Sequence, residues 1–213
     1  MCGWRHRITP PRCPPPLTHC FGKVAWIALP ATILNGTSEA IPREAAMDYR
    51  IIVNGTSRTV SARPDTPLLY VLMNDLDLKG PRFGCGLAQC GSCSVLLDGV
   101  EIRSCITPVG DVEGKVLTTL EGLPALYAQQ KGLAEAPAMH PLQQAFIDVQ
   151  APQCGYCYNG MTIKGAELLA NNPKPTQGEI RTHMDGHLCR CGTYPRVMKA
   201  IQLASSRMTG EVR

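Results

Sequence analysis

Eight cysteines in two groups of four constrain this chain more than any other feature. Of its 213 residues, eleven are cysteine. Cys2, Cys13 and Cys20 fall in a Pro-rich leader. Cys85, Cys90, Cys93 and Cys105 form one group; Cys154, Cys157, Cys189 and Cys191 form another, about fifty residues further on. A secreted chain uses an even set of cysteines as disulfide staples, but such chains are usually small and poor in core. This one is long enough for one large domain or two small ones with ordinary cores. Two metal centres would also require two sets of four.

The first group lies in "RFGCGLAQCGSC", Arg82 to Cys93. Its spacing, C-x4-C-x2-C with Cys105 following, is the plant-type ligand order for a [2Fe–2S] cluster. Four thiolates around two irons and two sulfides carry net negative charge. That charge is costly to bury unless backbone N–H groups point at the sulfurs. Gly84, Gly86 and Gly91 allow the backbone the unusual dihedral angles such a wrap demands. A zinc knuckle more often pairs two C-x2-C arms and accepts histidine; none is near. A Cys90–Cys93 disulfide would close a strained, tiny ring.

The second group, "QCGYC" and "LCRCG", supplies C-x2-C and C-x-C. Both pairs fall at predicted helix ends, where free N–H groups favour thiolates and an anionic cluster. By spacing alone zinc remains an open alternative here.

Around these cysteines the chain changes texture. Tyr49–Ala62 reads as a hairpin turning at Asn54-Gly55, and "SVLLDGVEIRSC" as another turning at Asp98-Gly99. Thr66–Leu76 carries a helical stripe of Leu68, Leu69, Leu72 and Leu76, and Gly114–Leu120 is a last short strand. A small mixed sheet crossed by one helix is expected over 47–122. Residues 123–139 read as a linker with some helical tendency. Over 140–213 four short helices are predicted, with a capping box at Thr176 and Glu179 and Pro195 opening the last. Asn159 is expected to cap the helix that follows Cys157. Short helices need something to bind them together, and a metal centre would do so.

Residues 1–46 read as a disordered leader, or as the product of a start codon placed too far upstream. Val24–Leu34 is the one apolar run, and Pro30 interrupts it; it is too short for a membrane span. The proline cluster "TPPRCPPP" argues against an export signal. Removing 1–46 is expected to leave assembly intact. The formal net charge is +4, with Arg5, Arg7, Arg12, Lys23 and Arg43 before Met47 and near-neutral balance after it. Nucleic acid and direct membrane insertion are therefore not expected. His6, His19, His140, His183 and His187 show no catalytic or metal spacing and read as solvated or capping. Asp148, Asp185, Glu167 and Glu179 read as charges on helix faces.

Both halves together resemble the small iron–sulfur subunit of the molybdenum hydroxylases, the group of xanthine dehydrogenase and aldehyde oxidoreductase. The resemblance spans about residues 48–205. It rests on "GPRFGCGLAQCGSCSVLLDG", "RSC", "QCGYC" and "HLCRCGTYPR", in family order. Within the family the wording is closest to the small subunits of nicotinate dehydrogenase and isoquinoline 1-oxidoreductase. The resemblance implies an α+β chain: an N-terminal β-grasp, plant-type ferredoxin-like domain, then an all-α four-helix domain, each with one [2Fe–2S] cluster. It implies eight metal ligands: Cys85, Cys90, Cys93 and Cys105, then Cys154, Cys157, Cys189 and Cys191. Gln153 and Cys191 match positions that touch the molybdopterin, which would be of the cytosine dinucleotide type and held by a large partner subunit. No catalytic residue belongs to this chain on that reading. It relays electrons to a cytochrome c or a flavin (FAD) subunit, with an N-heteroaromatic compound or an aldehyde as the complex's substrate. Tyr158-Asn159, where many relatives read Thr-Pro, leans toward the cytochrome branch. Lys79 and Arg82 are expected to tune the first cluster. A cytoplasmic setting is expected, or a periplasmic or membrane-associated one through partners. The rival readings are a diffusible ferredoxin-type carrier and a zinc-bound scaffold.

Overall fold

Strand β1 (Met47–Val53) turns at Asn54-Gly55 into β2 (Thr56–Ala62). Asn54 and Gly55 both adopt the left-handed backbone that this two-residue turn needs. The structure is a computed structural model that describes residues 46–211; the expected leader lies outside the described residues, save its last position. Strands β3 (Ser94–Leu97) and β4 (Val100–Arg103) form the second hairpin, and β5 (Val116–Thr118) completes the sheet. Its order is β2-β1-β5-β3-β4. β1 and β5 run parallel through Ile52–Val116 and Val53–Leu117, and the other pairings are antiparallel. This is the β-grasp arrangement.

The crossing helix departs from its sequence-based form. A single α-turn, α1 (Leu68–Tyr70), widens into a π-helix over Val71–Asp75, with the Leu76 amide bonding Val71 O at 3.1 Å. Leu68, Val71 and Leu72 enter one core with Ile51, Val95 and Leu117, as the i, i+3, i+4 face of a helix does.

The expected linker is half helix. α2 (Leu123–Lys131) stops at Gly132, which takes the left-handed C-cap. Then follow α3 (Pro141–Asp148), α4 (Tyr158–Asn171), α5 (Gln177–Met184) and α6 (Tyr194–Met208). The Thr176–Glu179 capping box forms as expected.

The two halves share a wall. In β3, Val95 points into the sheet's core with Leu72, while its neighbour Leu96 joins the helical core of Leu142, Phe146, Ile163 and Ile201. Successive residues of a strand face opposite sides, so one short strand serves both cores. Helix α4 is buried on nearly every side. Its first turn is pressed against the cysteine loop: a Cβ on Gly160 would lie 2.1 Å from the Gly91 carbonyl oxygen. The described residues belong to one compact unit.

Candidate metal centres

The loop after the π-helix carries Cys85 and Cys90, and the start of the second hairpin carries Cys93. Cys105 follows β4 after one residue, Ser104. These thiols meet as two pairs. The Cys85 amide donates to Cys90 Sγ at 3.3 Å, and the amides of Leu87 and Gln89 donate to Cys85 Sγ at 3.3 and 3.2 Å. Slight burial works against the Cys85 thiolate, but these N–H groups outweigh it and bring its pKa to about 7. Cys93 is buried against Cys105. Burial first, and then the Cys105 and Cys90 thiols, push it up to about 12. Gly84 proves to be about space: a Cβ there would sit 2.6 Å from Cys90 Sγ. Gly86 and Gly91 take the positive φ expected of them.

The helical quartet repeats the pattern. Cys154 and Cys157 flank the turn into α4, where Cys157 is the N-cap residue. Cys189 and Cys191 lie between α5 and α6. The Tyr156 amide and the Cys191 thiol lower the Cys154 pKa. Burial raises Cys157 to about 12, with the Cys189 and Cys154 thiols adding to the rise. Cys189 is brought down to about 7: a modest burial cost is overcome by the Thr193 hydroxyl, 3.4 Å away, and by backbone N–H groups. The pairs here are Cys154 with Cys191 and Cys157 with Cys189.

All eight of these cysteines are free thiols. Among the described residues no three His, Cys, Asp or Glu side chains converge as ligands of a single ion would. A two-iron cluster asks for something different: two thiolate pairs facing each other, with N–H donors to carry the negative charge. Each quartet offers that, so the donor set fits the group. Cys85 and Cys90 share an open cavity of about 400 Å³ with Cys154, Cys157 and Cys189. The two centres are therefore neighbours. The Leu188 amide, one residue before Cys189, donates to the Cys90 carbonyl at 3.0 Å.

Gln153 is exposed and Cys191 half-buried, on the rim beside the exposed Cys154. Exposed Tyr156, Leu188 and Tyr194 lie close to the same residues in sequence. Arg82 stacks over the Tyr156 ring at 5.5 Å from its centre, and Tyr156 donates its hydroxyl to Phe83 O, linking the halves again. Lys79 is exposed and paired with Asp77.

Three residues behave otherwise than their sequence context implied. Asn159 is not a cap; its amide donates to Ser92 O and Ser94 O at 2.9 Å each, tying α4 to the cysteine loop. Glu167 is no solvated helix charge. It is buried and accepts the Glu101 amide at 2.8 Å, with Lys164 at 2.6 Å and His183 at 2.9 Å. His187 is buried between the halves, 2.8 Å from Arg103 Nη1 and 3.3 Å from Ser94 Oγ. Glu101 sits in the same network. Burial alone would raise its pKa, but the His187 ring, the Ser94 hydroxyl and the Arg103 charge bring it to about 2. No local pattern marks these contacts, because the partners, Lys164 apart, lie on other elements. His140, by contrast, is a helix cap, as one of the two readings of the histidines allowed.

Comparison with known proteins points to two sites of one kind. Residues 51–118 match a family described as a 2Fe-2S iron-sulfur cluster binding domain, and residues 129–202 match a [2Fe-2S] binding domain. The chain is 50% identical over 153 residues to a nicotinate dehydrogenase subunit of Pseudomonas putida, covering 72% of this chain and 91% of that one. It is 46% identical over 155 residues to the alpha subunit of isoquinoline 1-oxidoreductase from Brevundimonas diminuta, covering 72% and 95%. Among solved structures, a chain of quinoline 2-oxidoreductase from Pseudomonas putida 86 superposes with a TM-score of 0.68 at 34% identity, covering 79% of this chain and 99% of that one. With two [2Fe–2S]-binding halves and relatives matched over nearly their whole length, the chain belongs to the family of small iron–sulfur subunits of the molybdenum hydroxylases.

Proposed function

We propose that this chain relays electrons to an external acceptor from a molybdopterin centre held by a large partner subunit. Cys85, Cys90, Cys93 and Cys105 would hold the first [2Fe–2S] cluster, and Cys154, Cys157, Cys189 and Cys191 the second. When bound, the two [2Fe–2S] clusters supply one-electron carriers. The protein supplies N–H donors that favour the anionic state, buried thiols that exclude water, and a fixed separation between the two sites.

The observation that carries this reading is the Leu188 N–H to Cys90 O hydrogen bond. It joins a residue of the first quartet to the neighbour of Cys189 in the second, so covalent bonds and one hydrogen bond connect the sites. A free-standing ferredoxin-type carrier needs neither the helical half nor that link.

On this reading 47–122 is the ferredoxin-type domain, 123–139 the connection and 140–213 the helical domain. Gln153 and Cys191, on the rim of the helical quartet, face the molybdopterin, of the cytosine dinucleotide type. The Cys85 loop faces the acceptor, a cytochrome c or an FAD subunit. Nicotinate, isoquinoline and quinoline appear in the names of the relatives, which favours an N-heteroaromatic substrate over an aldehyde. A reducing, cytoplasmic setting suits eight free thiols. Among the described residues no helix is long and apolar enough to cross a membrane.

Iron and acid-labile sulfide analysis tests the reading. About four irons and four sulfides per chain are expected, with Cys90→Ser losing one cluster's visible absorption and retaining the other's. Colourless protein containing zinc and no sulfide would end the proposal.

A further inference from the structure

Arg103 closes β4, two residues before Cys105. Its side chain is 15% exposed, that of Glu101 8% and that of His187 1%. The guanidinium makes four contacts. Nη1 lies 2.6 Å from Ser94 Oγ, 2.8 Å from His187 Nε2 and 2.9 Å from Glu101 Oε1, and Nη2 donates to Gly186 O at 3.2 Å. A guanidinium only donates, and Ser94 Oγ, His187 Nε2 and Gly186 O all lie within hydrogen-bonding reach of its N–H groups. Ser94 and Glu101 belong to the sheet; Gly186 and His187 belong to the segment between α5 and α6. One cation thus spans two elements of the β-grasp half and the segment that leads into Cys189.

The neighbourhood gives this clamp a consequence. Gly186 and His187 directly precede Leu188, whose amide meets Cys90 O. On the other side, a Cβ on Gly91 would lie 2.3 Å from His187 Cδ2 and 2.6 Å from Arg103 Nη1. Both ends of the Cys90–Leu188 hydrogen bond are therefore held by groups in contact with Arg103. A further layer backs it: Glu167 accepts the Glu101 amide, and Lys164 lies 3.8 Å from the Glu101 carboxylate.

We propose that Arg103 is a positioning residue that clamps the Gly186–Leu188 segment onto the cysteine loop and so maintains the hydrogen-bonded bridge between the two quartets. Lysine cannot replace it, since a point charge on a flexible stem does not bond Ser94, His187 and Gly186 in three fixed directions at once. The consequence for electron transfer rests on the relay reading; the clamp itself does not.

The test uses the full iron-loaded chain with Arg103→Lys and Arg103→Met. Hydrogen exchange is read at the Leu188 amide, with Ile51 in β1 and Ile163 in α4 as core references. Arg103→Met is expected to speed Leu188 exchange about tenfold relative to the references, and Arg103→Lys by less. In dithionite-reduced protein the magnetic interaction between the two clusters is expected to weaken in the same order. Should the Met variant unfold, with all amides exchanging, the Lys variant decides. Unchanged Leu188 protection in a folded variant would overturn the clamp. Lack of iron and sulfide would remove the relay reading but leave the amide measurement to judge the clamp alone.

Discussion

Gly160 shows how much one hydrogen atom in place of a methyl can decide. On an exposed helix, Gly→Ala would stabilise by about 1 kcal/mol. Here the added Cβ meets the Gly91 carbonyl oxygen at 2.1 Å and His187 Cδ2 at 3.2 Å. That carbonyl already accepts from the Ser94 amide and hydroxyl, so it cannot retreat without breaking them. Helix α4 must move instead, and it carries Cys157 at its start. Gly160→Ala is expected to cost about 1–3 kcal/mol, as overpacking does, read from urea unfolding at neutral pH. A gain in stability would show that α4 and the cysteine loop do not touch as described.

At the scale of an element, α3 depends on a titratable cap. His140 Nδ1 accepts the Leu142 amide at 3.0 Å, and the His140 amide donates to Gln143 Oε1 at 2.8 Å. The ring is buried, edge-on to Tyr127 at 5.1 Å. Burial lowers its pKa from 6.5 to about 4. A protonated ring could not accept at Nδ1, so the folded state binds the proton less readily than the unfolded chain. Its stabilising contribution is complete above pH 6.5 and is lost as pH falls from 6.5 toward 4. The change at full linkage is about 3 kcal/mol. His140→Asn keeps an N-cap acceptor and should flatten this part of the stability profile, measured by denaturant unfolding between about pH 7 and 4. An identical acid slope in the variant would assign the loss elsewhere.

Across the whole molecule, the two halves should unfold as one. Leu96 sits in the helical core from within the sheet, Asn159 grips the cysteine loop, and Glu167 holds the Glu101 amide. A cluster bound by either quartet also stabilises the fold it completes. Cys157→Ser is therefore expected to lower the midpoint for the entire chain, with far-UV circular dichroism and bleaching of the remaining cluster coincident on heating. Two separated transitions would mean the shared wall contributes little.

Features that depend on neighbours in sequence were legible in it. Asn54-Gly55 and Asp98-Gly99 made their hairpin turns because those residues tolerate the backbone the turn needs. Thr176 and Glu179 capped α5 because a box four residues long needs no outside help. The C-x4-C spacing placed Cys85 beside Cys90 for the same reason, whereas Cys154 met Cys191, and Cys157 met Cys189, only through the fold. The π-helix at Val71–Asp75 was not legible, since Leu68, Val71 and Leu72 follow the i, i+3, i+4 spacing of an ordinary α-helix. α2 passed for a linker because its stripe is weak until Leu123 finds the helical core.

By itself, then, the chain's order of residues marked two groups of four cysteines and determined a hairpin-built sheet and a set of capped helices. Only the tertiary structure decided that His187, Glu167 and Asn159 would be buried, and that Cys90 and Leu188 would share a hydrogen bond. The reason is range. Turns, caps and ligand loops are settled by atoms a few residues apart, whereas a buried polar group takes its place only when a distant segment brings the partner that offsets its lost water.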